Sequence, residues 1–478
     1  MRRTAATIFL LCLALYAPSM GRFFVSDDFL NMERNVLTEL ADVRAAFGTE
    51  EVDFYRPIPR LHFGVLHAVA GDRVFVWNLV GVLLHALCSL AVVRLALSLL
   101  GAGRERIAAW TGILFAVHFI HVEPVVWASG VTSLFVTLFL LEALTALRRS
   151  RASGRIRHLA GAAGWFALAL LSKETAVAFL LLAPLTMLVW PVPSGGVRRF
   201  GWIREAIPFL LILVVYLAIV STVDRGGSAS PYQWIPGAHV ARNAAFFLLG
   251  GVAPVRFWEV RDVLAASTGG GMATLLRSAT TGIPMVLAGG GIAYAIVRGG
   301  RDVRGAFAWV LVAAAPFLLL PGSGERFLYL SSFGACLALA LGGAWLVRFG
   351  RGPVWAGAAL VMLAFVWGNL DRQRDWVLAS RWTQSIVESG QGPVLPASTH
   401  SVEFSGIPGE VRSAWVFRNG FESMARLYWG RDRVFRSEDR GGRSVAAHRV
   451  QVECGTNGTV VFQDSGGAVL DRGNAVSL

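Results

Sequence analysis

The chain has 478 residues, of which 55% are hydrophobic and only 16% charged, against about 25% charged in ordinary soluble domains. Its net charge of +13 would suggest a nucleic-acid binder in a soluble protein. Here the excess arginine lies in short stretches between long apolar runs, which is how a multi-pass membrane protein sets its orientation, so nucleic acid is excluded as a partner and the lipid bilayer takes its place.

Apolar runs of roughly 17 to 25 residues are long enough to cross about 30 Å of hydrocarbon. They predict spans near 4–20, 75–100, 106–120, 126–147, 158–172 and 175–191, then near 206–222, 281–297, 305–321, 327–347 and 353–369. The first follows Met1-Arg2-Arg3 with no small-residue cleavage site behind it, so it reads as an uncleaved span. The run 240–255 is short, holds Arg242 and Asn243, and ends at Pro254; it reads as re-entrant or interfacial. With the amino terminus cytoplasmic, every short cytoplasmic loop is then basic, from Arg94, Arg104 and Arg106 to Arg348 and Arg351. The expected architecture is an all-α membrane protein of about eleven helices (1–369), followed by a small, mainly β extracytoplasmic domain (370–478). Ala414-Trp415-Val416-Phe417 and Thr459-Val460-Val461-Phe462 are its strand-like runs.

Four cysteines supply no disulfide framework, since Cys12, Cys88 and Cys336 fall inside apolar runs and leave Cys454 alone. No Cys/His cluster suggests a metal.

Five polar sites fall on the extracytoplasmic face. Ionisable groups at membrane depth cost roughly 2.5–3.5 kcal/mol each, so they pair or do chemistry. Ser26-Asp27-Asp28-Phe29 offers a general base or cation site, because adjacent carboxylates repel and one pKa rises; a helix cap is the plainer alternative. Tyr55-Arg56-Pro57 offers a guanidinium fork suited to phosphate. His118 and His121, at i and i+3, are expected on one helix face with Glu123 near them, as metal ligands (although zinc pairs are commonly i, i+4), as proton carriers, or as packing at a helix end. Ser172-Lys173-Glu174-Thr175 is a tight turn holding the chain's only lysine; it reads as an ion pair or as a lysine poised for a lipid phosphate. Glu325-Arg326, opening the tenth span after Pro321-Gly322, is expected to orient within itself or to hold an anion.

In order along the chain, Asp27-Asp28, Tyr55-Arg56-Pro57, Trp77-Asn78 with Leu84-His85, His118-x-x-His121-x-Glu123-Pro124, Leu171-Ser172-Lys173-Glu174-Thr175 and Glu325-Arg326-Phe327-Leu328-Tyr329 resemble the GT-C membrane glycosyltransferases. Among these the series is most similar to the transmembrane and tetratricopeptide-repeat O-mannosyltransferases and their bacterial relatives. The resemblance implies transfer of a sugar from a polyprenyl-phosphate donor to an acceptor (protein, lipid or glycan) outside the cytoplasm, from a bacterial inner (plasma) membrane with the site facing the periplasm or exterior. It implies Asp27 or Asp28 as catalytic base, and Lys173, Arg326 and Arg56 as donor-phosphate ligands. His118, His121, Glu123, Glu174 and Glu325 are supporting polar groups. It leaves room for a divalent cation, because such enzymes include metal-dependent and metal-independent members. The chain departs from the family where Phe119 replaces a proline and where Gly130-Val131-Thr132-Ser133 carries no charge. A transporter or flippase of lipid-linked sugars is the alternative reading, and would favour midplane charges and repeated halves.

Overall fold

The computed structural model describes residues 2–50, 54–192, 201–223, 235–256, 259, 272–321, 323–391, 402–430, 434–436, 448–455, 460–464 and 469–473. It is mostly helical. The helices are α1 (Arg2–Tyr16), α2 (Asp27–Arg34), α3 (Leu40–Ala45), α4 (Pro57–Ala70), α5 (Val74–Leu100), α6 (Glu105–Val117), α7 (Val122–Val126), α8 (Val131–Ser153) and α9 (Ile156–Leu170). They continue with α10 (Phe179–Val189), α11 (Gly201–Val220), α12 (His239–Gly250), α13 (Met272–Arg298), α14 (Arg301–Leu318), α15 (Ser332–Leu346), α16 (Arg351–Gln391) and α17 (Phe421–Trp429). Each apolar run read as a span falls on one of these helices. By length and composition, four described helices can cross a membrane alone: Val74–Leu100, Ala128–Ser153, Ser332–Phe349 and Arg351–Gly390. A fifth crossing results if α6 and the segment Phe119–Val126, bent by 50°, act together. The chain is an integral membrane protein, with large apolar side chains turned outward, such as Val286, Leu287, Leu360 and Leu363. Part of the stretch 223–280, Gly322 and Thr459 lie outside the described residues.

The bundle core is built around α5, which packs on α1, α6 and α8, while α15 packs on α6 and α14. Polar staples lock it. His85 bonds Tyr329 Oη at 2.7 Å and Ala116 O at 3.0 Å, Asn369 donates to Tyr16 Oη at 3.1 Å, and Ser19 donates to Gln373 at 2.7 Å. At one end of α5 stand Trp77 and Asn78. At the other, Arg148 donates to the Ser98 and Trp190 carbonyls at 2.8 and 2.7 Å. A 27-residue helix separates these ends by about 40 Å at ~1.5 Å per residue.

Helix α16 runs through residue 369 without a break. Before Gly368 it exposes Leu360, Leu363 and Trp367; after it Asn369, Arg372, Gln373 and Asp375 are buried. Beyond it lie a five-stranded sheet, ordered β4-β1-β5-β6-β7, and a two-residue hairpin. In the sheet, β1 (Val402–Ser405) pairs in parallel with β4 (Val434–Arg436) and β5 (His448–Cys454). Strands β6 (Val460–Asp464) and β7 (Val469–Gly473) continue antiparallel. The hairpin joins β2 (Glu410–Val411) to β3 (Ala414–Trp415), so only half of the run Ala414–Phe417 is strand. The helix α17 packs on α2 and α16.

Candidate functional site

Helix α2 starts at Asp27, directly after Ser26, whose φ of 51° is rare for a residue with a side chain. That turn sends the two carboxylates apart, because successive helical residues project about 100° from one another. Asp28 points inward and is fully buried. It accepts hydrogen bonds from the Val25 amide at 3.1 Å, the Ser129 amide at 2.8 Å and the Ser129 hydroxyl at 2.6 Å. Burial pushes its pKa up, opposed by buried Arg22 and by those hydrogen bonds. Mutual repulsion with Asp27, expected from the adjacency, is not the cause. Asp27 faces outward and accepts from the Asn419 side-chain amide at 2.9 Å.

The Lys173 side chain is buried, with 4% of the residue exposed. Its ammonium donates to the Ser133 hydroxyl at 3.1 Å and lies about 6 Å from the rings of Phe317 and Phe327. These two rings stack with centroids 4.3 Å apart. Burial first, then repulsion from Arg56, pushes its pKa down to about 7. Lys173 and Glu174 do not pair. Glu174 instead takes a two-pronged bond from Arg56, at 2.9 and 2.7 Å, and the Ile58 amide donates to the Leu171 carbonyl at 3.2 Å. Thus α4 is tied to the turn that carries the lysine.

Arg326 and Glu325 also part, since neighbours in the 3-10 turn Glu325–Leu328 project about 120° apart. Arg326 donates to Glu123 from its guanidinium at 2.7 Å and its amide at 3.1 Å. Its guanidinium lies 4.9, 5.7 and 5.9 Å from the rings of Phe327, Trp127 and Trp415. Glu325 is held by buried Arg372 through two bonds of 2.7 and 2.8 Å. The expected mutual orientation of Glu325 and Arg326 is therefore absent.

The histidines do not share a helix face. Helix α6 ends at Val117, His118 is extended (φ −65°, ψ 128°), and a 3-10 turn, Phe119–His121, follows. Both rings are fully buried and their centroids lie 5.1 Å apart. His118 Nδ1 accepts from the Ile120 amide, which leaves Nε2–H to donate to the Gly251 carbonyl at 2.9 Å. His121 Nε2 bonds Ser332 Oγ at 2.7 Å. No group of three or more His, Cys, Asp or Glu side chains converges as a metal-ligand set among the described residues.

One short segment gathers the rest. Glu123 holds Arg326, Trp127 stacks near it, Ser129 holds Asp28, and Ser133 meets Lys173. Sequence reasoning missed Ser129 and Ser133, because hydroxyls carry no charge signal. It also missed Trp415, whose indole N–H donates to Glu123 at 3.2 Å, and Asn419, both about 290 or more positions from their partners.

Residues 57–223 match the family model described as dolichyl-phosphate-mannose-protein mannosyltransferase. The mouse protein O-mannosyl-transferase TMTC2 is 35% identical over 113 residues, 23% of this chain and 13% of the mouse protein. The Drosophila melanogaster protein O-mannosyl-transferase Tmtc1 is 30% identical over 198 residues, 38% of this chain and 22% of the fly protein. The matches thus span less than a quarter of these relatives' own lengths. Among solved structures, the Archaeoglobus fulgidus oligosaccharyltransferase superposes with a TM-score of 0.46 at 12% identity, covering 90% of this chain and 64% of that one. ArnT from Cupriavidus metallidurans, solved with undecaprenyl phosphate, gives 0.44 at 14% identity, covering 93% and 92%. The chain resembles the polyprenyl-phosphate-sugar glycosyltransferases of the GT-C type, in keeping with the residue series read from its sequence.

Proposed function

We propose that the chain is a glycosyltransferase that moves a sugar from a polyprenyl-phosphate donor to an acceptor on the extracytoplasmic side of the membrane. In this reading it has eleven spans and resides in a bacterial inner membrane. Residues 1–369 form the catalytic unit, and 370–478 form an extracytoplasmic domain. The observation that carries the reading is the segment Glu123–Ser133. It joins two cationic side chains, Arg326 and Lys173, to the carboxylate-bearing turn at Asp27-Asp28.

A polyprenyl-phosphate sugar keeps its lipid in the bilayer and its phosphate at the interface. The Asp27 carboxylate takes the acceptor's hydroxyl proton as that oxygen attacks the anomeric carbon. The bond from that carbon to the phosphate oxygen breaks, and its electron pair leaves with the polyprenyl phosphate. A single displacement inverts the anomeric centre. Arg326 and Lys173 offset the charge growing on the departing phosphate, with Arg56 at the same turn. Asp28, with three donors on its carboxylate, holds the loop in register and orients Asp27.

Purified protein supplied with polyprenyl-phosphate sugars and a hydroxyl acceptor (a Ser/Thr-rich peptide, or a membrane lipid and glycan extract) should release lipid phosphate and form the glycosylated acceptor. Asp27→Asn should slow release by roughly a hundredfold or more, the scale of a lost general base, with donor binding retained. Unchanged turnover in Asp27→Asn would remove the base role. Binding without any bond cleavage by the native chain would point to the transporter.

A further inference from the structure

The segment from Trp415, at the end of β3, into α17 lies beyond α16, yet it reaches both halves of the site. The Ser26 amide donates to the Val416 carbonyl at 2.8 Å. Phe29 stacks on Phe417 at 5.8 Å, and Arg426 pairs with Glu33. Gly420, at φ +82°, lies so close to Ser26 that a Cβ there would sit 2.2 Å from the Ser26 carbonyl oxygen. Docked this way, Asn419 donates to the Asp27 carboxylate and Trp415 donates to Glu123, the carboxylate that holds Arg326.

We infer that this strap is part of the active site, with Asn419 positioning the Asp27 carboxylate for proton abstraction and Trp415 fixing the Glu123–Arg326 pair that meets the donor phosphate. The inference rests on the glycosyltransferase reading. Asp27 projects from the surface of α2, where a carboxylate samples several rotamers. One amide N–H donated to one oxygen selects among them and leaves the other oxygen for the acceptor hydroxyl. Trp415 acts at a distance from the chemistry, through the orientation of Glu123.

The test is steady-state release of lipid phosphate from polyprenyl-phosphate mannose with a saturating hydroxyl acceptor by the 478-residue chain, with thermal melting as a check on folding. Asn419→Asp removes the donor and sets a second carboxylate against Asp27, whereas Asn419→Leu removes the donor without adding charge; in both, kcat should fall about tenfold or more at unchanged donor KM and melting temperature. Asn419→Gln should recover part of the rate. Trp415→Phe, which keeps most of the ring and loses the N–H, should raise donor KM several-fold and also lower kcat, because the Arg326 it helps to fix acts on the departing phosphate. If Asn419→Asp turns over like the native protein while Asp27→Asn is inactive, the positioning role is overturned. If rate and melting temperature fall together, the strap is structural only, and the role is equally overturned. An active Asp27→Asn protein instead sinks the base assignment and this inference with it, so the two failures are told apart.

Discussion

Lysine 173 is buried with a neutral hydroxyl as its hydrogen-bond partner, while the nearby carboxylates serve Arg56 and Arg326. A cation in that position costs stability when charged. Its pKa of about 7 lies below the 10.5 of a free lysine, so the unfolded chain holds the proton more tightly. The penalty is therefore complete below pH 7 and fades as pH climbs from 7 toward 10.5. Lys173→Met should melt higher than the native protein at pH 6, with the gap closing by pH 10, in detergent melting curves. The same variant should bind polyprenyl phosphate roughly tenfold more weakly, the value of one charge-assisted hydrogen bond. Asp28 is likewise penalised by burial when charged, but it serves more hydrogen-bond partners than Lys173 does. Its oxygens satisfy three donors in the interior, so Asp28→Ala should cost about 1–3 kcal/mol through orphaned N–H groups. A melting temperature equal to the native one would contradict that role.

At the scale of elements, the decisive feature is the broken path from α6 to α8. The turn at His118 bends the chain by 50° and brings Glu123, Trp127, Ser129 and Ser133 to one end of the bundle. Gly130 makes this possible. A Cβ at Gly130 would sit 2.9–3.0 Å from backbone atoms of Glu123 and Pro124, which cannot retreat as a flexible side chain would. Gly130→Ala should cost about 1–3 kcal/mol of strain and move Ser129 off Asp28, lowering turnover. Native melting and native turnover in this variant would exclude the segment as the organiser. The periodicity of the sequence does not disclose the break, because apolar residues continue on both sides of His118. The i, i+3 spacing of the histidines suggests a shared face only if the helix is unbroken. The segment's hydroxyls were equally silent, since serine is as common in a turn as in a site.

Across the whole molecule, two polar ends stand about 40 Å apart along α5, at ~1.5 Å for each of its residues. The proposed site lies at one end. At the other, Arg104 bonds Asp302 at 2.8 Å and Arg151 bonds Glu205 at 2.5 Å. In the eleven-span topology that second end is cytoplasmic, so a reporter fused after Arg304 should score as cytoplasmic; an external signal would require another span count. Helix α16, with 41 residues, is about 60 Å long, twice the hydrocarbon thickness. Its second half carries the chain to the site end, where the strap docks. Gly420→Ala combines a left-handed backbone with a 2.2 Å approach to Ser26, and should loosen that docking. Faster limited proteolysis of the residues beyond α16, with reduced turnover, is the expected result.

Bilayer residence, the helical runs and the identity of the unusual charges were determined by the sequence alone, because each is a local property. A span needs only consecutive apolar residues, and an ionisable group inside such a pattern announces itself. Which charge meets which partner was decided by the tertiary structure. Lys173 and Glu174 part, as do Glu325 and Arg326, because adjacent residues in a tight turn project in different directions and burial selects partners from distant segments. Asp27 and Asp28 separate for the same reason, one turned to solvent and one into the core. The strap at Trp415 and Asn419 was invisible until the chain had folded back, since hydrogen bonds formed across 292 and 392 positions leave no spacing to read.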